Sequence, residues 1–202
     1  MKTDNMEKHP LPPFFPKGSK ILMLGSFPPA KIRWKMNFFY PNFQNDMWRI
    51  FGLAFYNDKN HFLTENLTEF NETLLRSFLA ERGIALWDTA MEIIREQGNA
   101  SDKFLKVLRP IDIDAVLKEL PACKAIVATG QKALEILSDL LNLDTLPVMG
   151  EYSEISYNNR QLRIYRMPSS SRAYPKSLTE KAEIYKKMFI YENLLLKMSP
   201  NS

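Results

Sequence analysis

Short apolar runs recur along the chain, and each stops at a glycine or a polar turn. The first is Ile21-Leu22-Met23-Leu24-Gly25, the second Ala125-Ile126-Val127-Ala128 before Thr129-Gly130, and the third Leu162-Arg163-Ile164-Tyr165-Arg166-Met167. A shorter run is Ile84-Ala85-Leu86. Continuous hydrophobicity over so few residues predicts strands covered on both faces, as in a parallel sheet. Helical patterns fall between them, over 44–55, 71–82, 89–97, 111–120 and 131–141. Asn45-Asp46 opens the first, Pro110 precedes the fourth and Gly130 the fifth; such residues favour helix starts. Ser177 and Glu180 stand at capping-box spacing, and Ile184, Met188, Tyr191 and Leu195 then trace an apolar stripe. Tyr157-Asn158-Asn159-Arg160 sits between two strand-like segments and predicts a hairpin. Strands alternating with helices define an α/β sandwich with a mainly parallel sheet. Ligands of such sheets bind beyond the carboxyl ends of the strands.

Residues 1–19 hold a Pro-rich segment, His9-Pro10-Leu11-Pro12-Pro13-Phe14-Phe15-Pro16. Proline at this density forbids a regular helix or inner strand. The expectation is an extended arm over 1–19 and a single domain over 20–198. A chain of 202 residues that is 45% hydrophobic and 12% aromatic can bury a sizeable core. Its 27 Lys and Arg against 23 acidic residues leave a net charge of +4, which permits an anionic partner. The lone Cys123 has no partner for a disulfide and cannot supply a Cys-rich metal site, so it reads as a buried thiol in a reducing compartment. Met1-Lys2-Thr3-Asp4-Asn5 lacks the apolar segment of a signal peptide, and no run is long enough to span a membrane. A cytoplasmic monomer is expected.

Candidate chemistry lies just after the strands. Gly25-Ser26-Phe27-Pro28-Pro29 leads into Lys31, Arg33 and Lys35 at alternate positions, then Trp34, Phe38, Phe39, Tyr40 and Phe43. Basic residues neutralise phosphates, and aromatic faces stack on bases. The structural alternative is a satellite core pinning the loop. Gly83-Ile84-Ala85-Leu86-Trp87-Asp88 ends on a carboxylate, Thr129-Gly130-Gln131 follows the second long run, and Met167-Pro168-Ser169-Ser170-Ser171-Arg172 follows the third.

Gly-Ser-Phe-Pro after the first strand, with Tyr40, Asn45 and Trp48 in register behind it, is similar to the uracil-DNA glycosylase superfamily. The nearest branches are the hypoxanthine-DNA glycosylases and the mismatch-specific uracil-DNA glycosylases. Their Tyr-x-His-Pro-x-Asn-x-Phe-Trp is replaced here by Tyr40-Pro41-Asn42-Phe43-Gln44-Asn45-Asp46-Met47-Trp48. The resemblance spans about residues 20 to 195. It implies a three-layer α/β/α sandwich around a central, mainly parallel four-stranded sheet. It implies hydrolysis of the N-glycosidic bond of a deaminated base, uracil or hypoxanthine, flipped out of double-stranded DNA at a damaged or mismatched pair. No metal or redox cofactor is implied.

The resemblance makes Asn45 the residue that orients a water or reads the base, with Ser169 beside it as a second catalytic candidate. Ser26, Phe27, Phe39, Tyr40 and Thr129 would bind the base, Lys31, Arg33, Lys35, Ser170, Ser171 and Arg172 the DNA, and Asp88 would support the site. The structural alternative for Asn45 is a helix cap, and for Asp88 likewise. Three positions depart from the pattern: Phe27 where relatives carry Asp or Asn, Thr129 where they carry Asn, and Met167 where some carry a catalytic His. His9 and His61 lie outside the motifs. Backbone amides are then left to stabilise the leaving base, which predicts a slow, monofunctional enzyme. A catalytically inactive DNA-binding relative and a small-molecule-binding α/β protein are the other two readings.

Overall fold

The computed structural model describes residues 6–96 and 105–195. Gln97, Met1–Asn5 and the stretch from 196 to 198 fall outside the described residues. The chain runs β1 (Met6–Lys8), β2 (Ile21–Gly25), α1 (Met47–Tyr56), α2 (Glu72–Arg82), β3 (Ile84–Asp88), β4 (Ala90–Arg95), β5 (Leu105–Pro110), α3 (Ile113–Glu119), β6 (Ala125–Ala128), α4 (Gln131–Leu141), β7 (Tyr152–Tyr157), β8 (Arg160–Arg166) and α5 (Leu178–Tyr191).

The main sheet has the order β3-β2-β6-β8-β7. β3, β2, β6 and β8 are mutually parallel, and β7 is antiparallel to β8. The four strands expected from sequence therefore form one parallel set, but the sheet has five strands. The fifth comes from the hairpin, whose turn residues Asn158 and Asn159 both take positive φ, the conformation a two-residue turn demands. A separate antiparallel sheet, β1-β4-β5, was not expected.

Side chains alternate across the main sheet into two cores. Ile21, Met23, Ile84, Leu86, Val127 and Tyr165 pack on one face with α1, α2 and α5. Leu22, Leu24, Ala85, Ile126, Ala128 and Ile164 pack on the other with α3 and α4. These are the three layers. The small sheet has its own cluster of Phe27, Ala90, Ile93 and Leu105, closed by Ile136 of α4.

One element is of a different type from that expected. Of the segment expected to be helix from Thr89, Ala90–Arg95 is strand: it pairs with β1 and β5, and register shifts between Ala90, Glu92 and Ile93 break the alternation that marks a strand. The arm over 6–19 is also anchored. Met6–Lys8 pairs with β4, and Phe14 bridges Leu86. In α5 the capping box forms as expected. Of its expected stripe Met188 is buried, Ile184 and Leu195 are partly buried against the core and Tyr191 is exposed, while Ala182, Tyr185 and Phe189 complete the buried face.

Candidate active site

The carboxyl ends of β2, β3, β6 and β8 open into one cavity of about 830 Å³, lined among others by Gly25, Ser26, Phe27, Phe39, Tyr40, Asn45, Asp88, Thr129 and Ser169–Ser171. Hydrogen bonds join the segments that form it. The Tyr40 hydroxyl lies 2.8 Å from Thr129 Oγ1. Thr129 Oγ1 donates its hydrogen to Leu24 O, so Tyr40 is the donor of that pair. Asp46 N donates to Ser170 O at 3.0 Å, fastening the start of α1 to the serine turn. The carboxylate of Asp88 rests on Gly25: a Cβ at that glycine would lie 2.3 Å from Asp88 Oδ1. Tyr40 takes φ 51°, the left-handed region, at the point where the aromatic loop turns onto the cavity. Backbone strain of this kind is concentrated at functional sites.

The aromatic loop is mostly core. Phe38 is buried and stacked on Trp48, whose indole N–H donates to Phe39 O at 3.1 Å. Phe43 packs on Phe70 under the Arg49 guanidinium. Of the five loop aromatics, Phe39 and Tyr40 line the cavity; Phe27, from the preceding turn, joins them. Trp34 and Lys31 face a smaller neighbouring cavity on the far side of Phe27 and Pro28. Arg33 stands on the main cavity, and Lys35 is exposed beside it.

Asn45 lines the cavity and stands just before Asp46, the N-cap of α1; its Oδ1 accepts from Met47 N at 2.8 Å in a local turn. What the side chain offers a ligand is its amide N–H₂. Ser169 Oγ accepts from Ser171 N, and Ser171 Oγ from Ala173 N, so both hydroxyls shape the turn as well as facing the cavity. Arg172 is not among the lining residues. It donates from Nε to Asp46 Oδ1 at 2.9 Å and also reaches Gln44. Its structural work is to tie the serine turn to α1.

Four contributors escaped the sequence reading. Lys181 is 1% exposed and donates to Ser171 O at 2.7 Å, with Asp46 Oδ2 at 3.7 Å. Burial lowers its pKa, and Asp46 opposes that shift. The signal was present, since a lysine occupies a position of the apolar stripe one turn before Tyr185. Arg49, also buried, donates to Phe43 O and Asn45 O and holds the loop from beneath. Lys132 of α4 lines the cavity. His9 arrives from the Pro-rich arm, and its Nε2 meets Asp88 Oδ2 at 2.9 Å. Only the pairing of β1 with β4 brings it there, and no local pattern marks it. Among the described residues no group of three or more His, Cys, Asp or Glu is placed to hold a metal ion.

A layered α/β/α protein with one polar and aromatic cavity at its strand ends is the class that these features define. Its fold is similar to the solution NMR structure of a Methanosarcina acetivorans protein provisionally named a uracil DNA glycosylase, with a TM-score of 0.62 and 20% sequence identity over 93% of this chain and 99% of that one. No protein-family model matches the chain. No curated protein matches it in sequence. No helix among the described residues is long and apolar enough to cross a membrane.

Proposed function

We propose that this protein is a monofunctional DNA glycosylase, hydrolysing the N-glycosidic bond of a deaminated base, uracil or hypoxanthine, flipped out of double-stranded DNA. The observation that carries the reading is the convergence of the aromatic loop, Asp88, Thr129 and the serine turn on one cavity of about 830 Å³. That size falls within the range of small-ligand sites, about 300–1,000 Å³. It accommodates one extruded nucleotide, and the fold likeness points the same way.

A base within the cavity has the faces of Phe27, Phe39 and Tyr40 to lie against. Stacking on aromatic rings tolerates any base, so selectivity falls to polar groups. Asn45 supplies an amide N–H₂, suited to a carbonyl oxygen such as uracil and hypoxanthine both carry. Thr129 acts through Tyr40, holding its ring by the shared hydrogen bond. Lys31, Arg33 and Lys35 neutralise the phosphates next to the flipped nucleotide, and Ser170 and Ser171 add neutral contacts there. Arg172 keeps the serine turn in place and offers its exposed edge to the backbone. The enzyme acts as a monomer in the cytoplasm and needs no redox cofactor.

The test uses duplexes carrying uracil, hypoxanthine, xanthine or thymine opposite each base, incubated with enzyme and then treated with alkali. Uracil or hypoxanthine strands break only after alkali, and borohydride traps no enzyme–DNA adduct. Adduct formation would make Lys132 a nucleophile and end the monofunctional reading. Intact strands throughout, at enzyme excess, would end the glycosylase reading.

A further inference from the structure

His9 and Asp88 are 79 residues apart in sequence and meet behind the cavity wall, with Nε2 2.9 Å from Oδ2. Their side chains are 4% and 9% exposed. The other ring nitrogen, Nδ1, is 2.9 Å from Leu11 O and accepts from Leu11 N at 3.3 Å, so both nitrogens have partners. Phe27 and Trp87 meet the imidazole edge-on at 5.4 and 6.4 Å and fix its plane. The second carboxylate oxygen, Oδ1, lies over the bare Cα of Gly25, where any side chain would collide with it. Asp88 and Gly25 both line the cavity. The carboxylate is thus clamped between an imidazole and a glycine, with its open side on the cavity. The imidazole gives the buried carboxylate a hydrogen-bond partner in place of water.

Of the two acids that line the cavity, Asp88 is buried and clamped, whereas Glu135 of α4 is exposed and accepts from Gln131 Nε2 at 3.1 Å. The loop after β2 carries Phe27 beside the strand end, and its carboxylate, Asp46, is taken up by Arg172 at 2.9 Å and lies 3.7 Å from Lys181. Asn45 has its amide oxygen on Met47 N, and an amide does not take up a proton at neutral pH. We propose, resting on the glycosylase reading above, that Asp88 is the catalytic carboxylate that receives the proton of the attacking water, and that His9 is the positioning residue that holds it. In that step a bond forms between the water oxygen and C1′ as the C1′–N bond breaks. The bonding pair leaves on the base nitrogen. One water proton passes to Asp88, and the base anion takes a proton from solvent after release.

The experiment is single-turnover excision by the full chain on its best lesion duplex, with DNA affinity measured separately. Asp88→Asn keeps the side chain's shape and slows excision about 10²-fold or more, with affinity unchanged. His9→Ala slows it about tenfold or more, as loss of an orienting partner does. His9→Gln, which keeps an N–H donor near the Nε2 position, recovers most of the rate. The double variant His9→Ala/Asp88→Asn is no slower than Asp88→Asn alone. Wild-type rates for Asp88→Asn overturn the proposal, and so do fully additive losses in the double variant. If His9→Ala unfolds, Asp88→Asn and His9→Gln decide the matter by the same criteria. A wild-type protein that releases no base overturns the glycosylase reading itself, a different result from an active enzyme indifferent to Asp88.

Discussion

At Gly25 the missing side chain is what lets a carboxylate sit against the backbone. Gly25→Ala places a methyl 2.3 Å from Asp88 Oδ1 and must push the carboxylate off the cavity wall. The expected cost is about 1–3 kcal/mol of stability, read as a lower Tm. On the role proposed for Asp88, excision falls about 10²-fold in the same variant. Cys123 gives a second test at this scale. Burial pushes its thiol up to about 11, so at neutral pH the native protein is inert to thiol reagents and labels only when denatured. Labelling of the native state would contradict the buried placement. Asn45 shows how far single residues were legible. Its sequence setting fits both a helix cap and a ligand contact; the structure puts the cap at Asp46, and Asn45 on the cavity wall with its Oδ1 on Met47 N. His9 was illegible because its position depends on the adjoining strand β1, whose Lys8 pairs with the distant Glu92.

Among the elements, the serine turn, α1 and α5 are held together by charge. Asp46 takes Arg172 at 2.9 Å and lies 3.7 Å from buried Lys181. Asp46→Ala leaves Lys181 without its countercharge, at an expected cost of about 3–5 kcal/mol. Asp46→Ala/Lys181→Met removes the stranded charge and recovers much of the Tm; no recovery would mean that the ion pair is not the cause. The capping box of α5 makes a pH prediction. Hydrogen bonds from Ser177 hold the Glu180 carboxyl below its ordinary 4.5. A lowered acid pKa means a stabilisation that is full above about pH 4.5 and is lost as pH falls through the lower folded value. The Tm gap between wild type and Glu180→Ala is therefore full at pH 7 and narrows in acid, and a constant gap would contradict it. The parallel strands and the α5 cap were readable because buried runs and capping residues are local signals. β4 was not, because its register shifts erase the period-two pattern and its partners come from distant segments.

For the whole molecule, a net charge of +4, Arg33 on the main cavity, Lys31 on the smaller one and exposed Lys35 give an electrostatic expectation. Replacing the three with Ala weakens DNA binding, and the slope of log K against log salt becomes shallower by about 0.9 for each phosphate no longer neutralised. An unchanged slope would place the DNA elsewhere on the surface. The layered architecture was legible from the alternation of buried runs and helical patterns. The hairpin that adds the fifth strand was marked by its Asn158-Asn159 turn, whereas the small antiparallel sheet joins β1 of the arm to β4 and β5, which no local pattern encodes. The central claim is that four strand ends build one site for an extruded, deaminated base. Its most direct test is chromatographic detection of free base released from duplex DNA by excess enzyme. Release of uracil or hypoxanthine, abolished in Asp88→Asn, is the result expected; no free base from any lesion duplex would contradict the account.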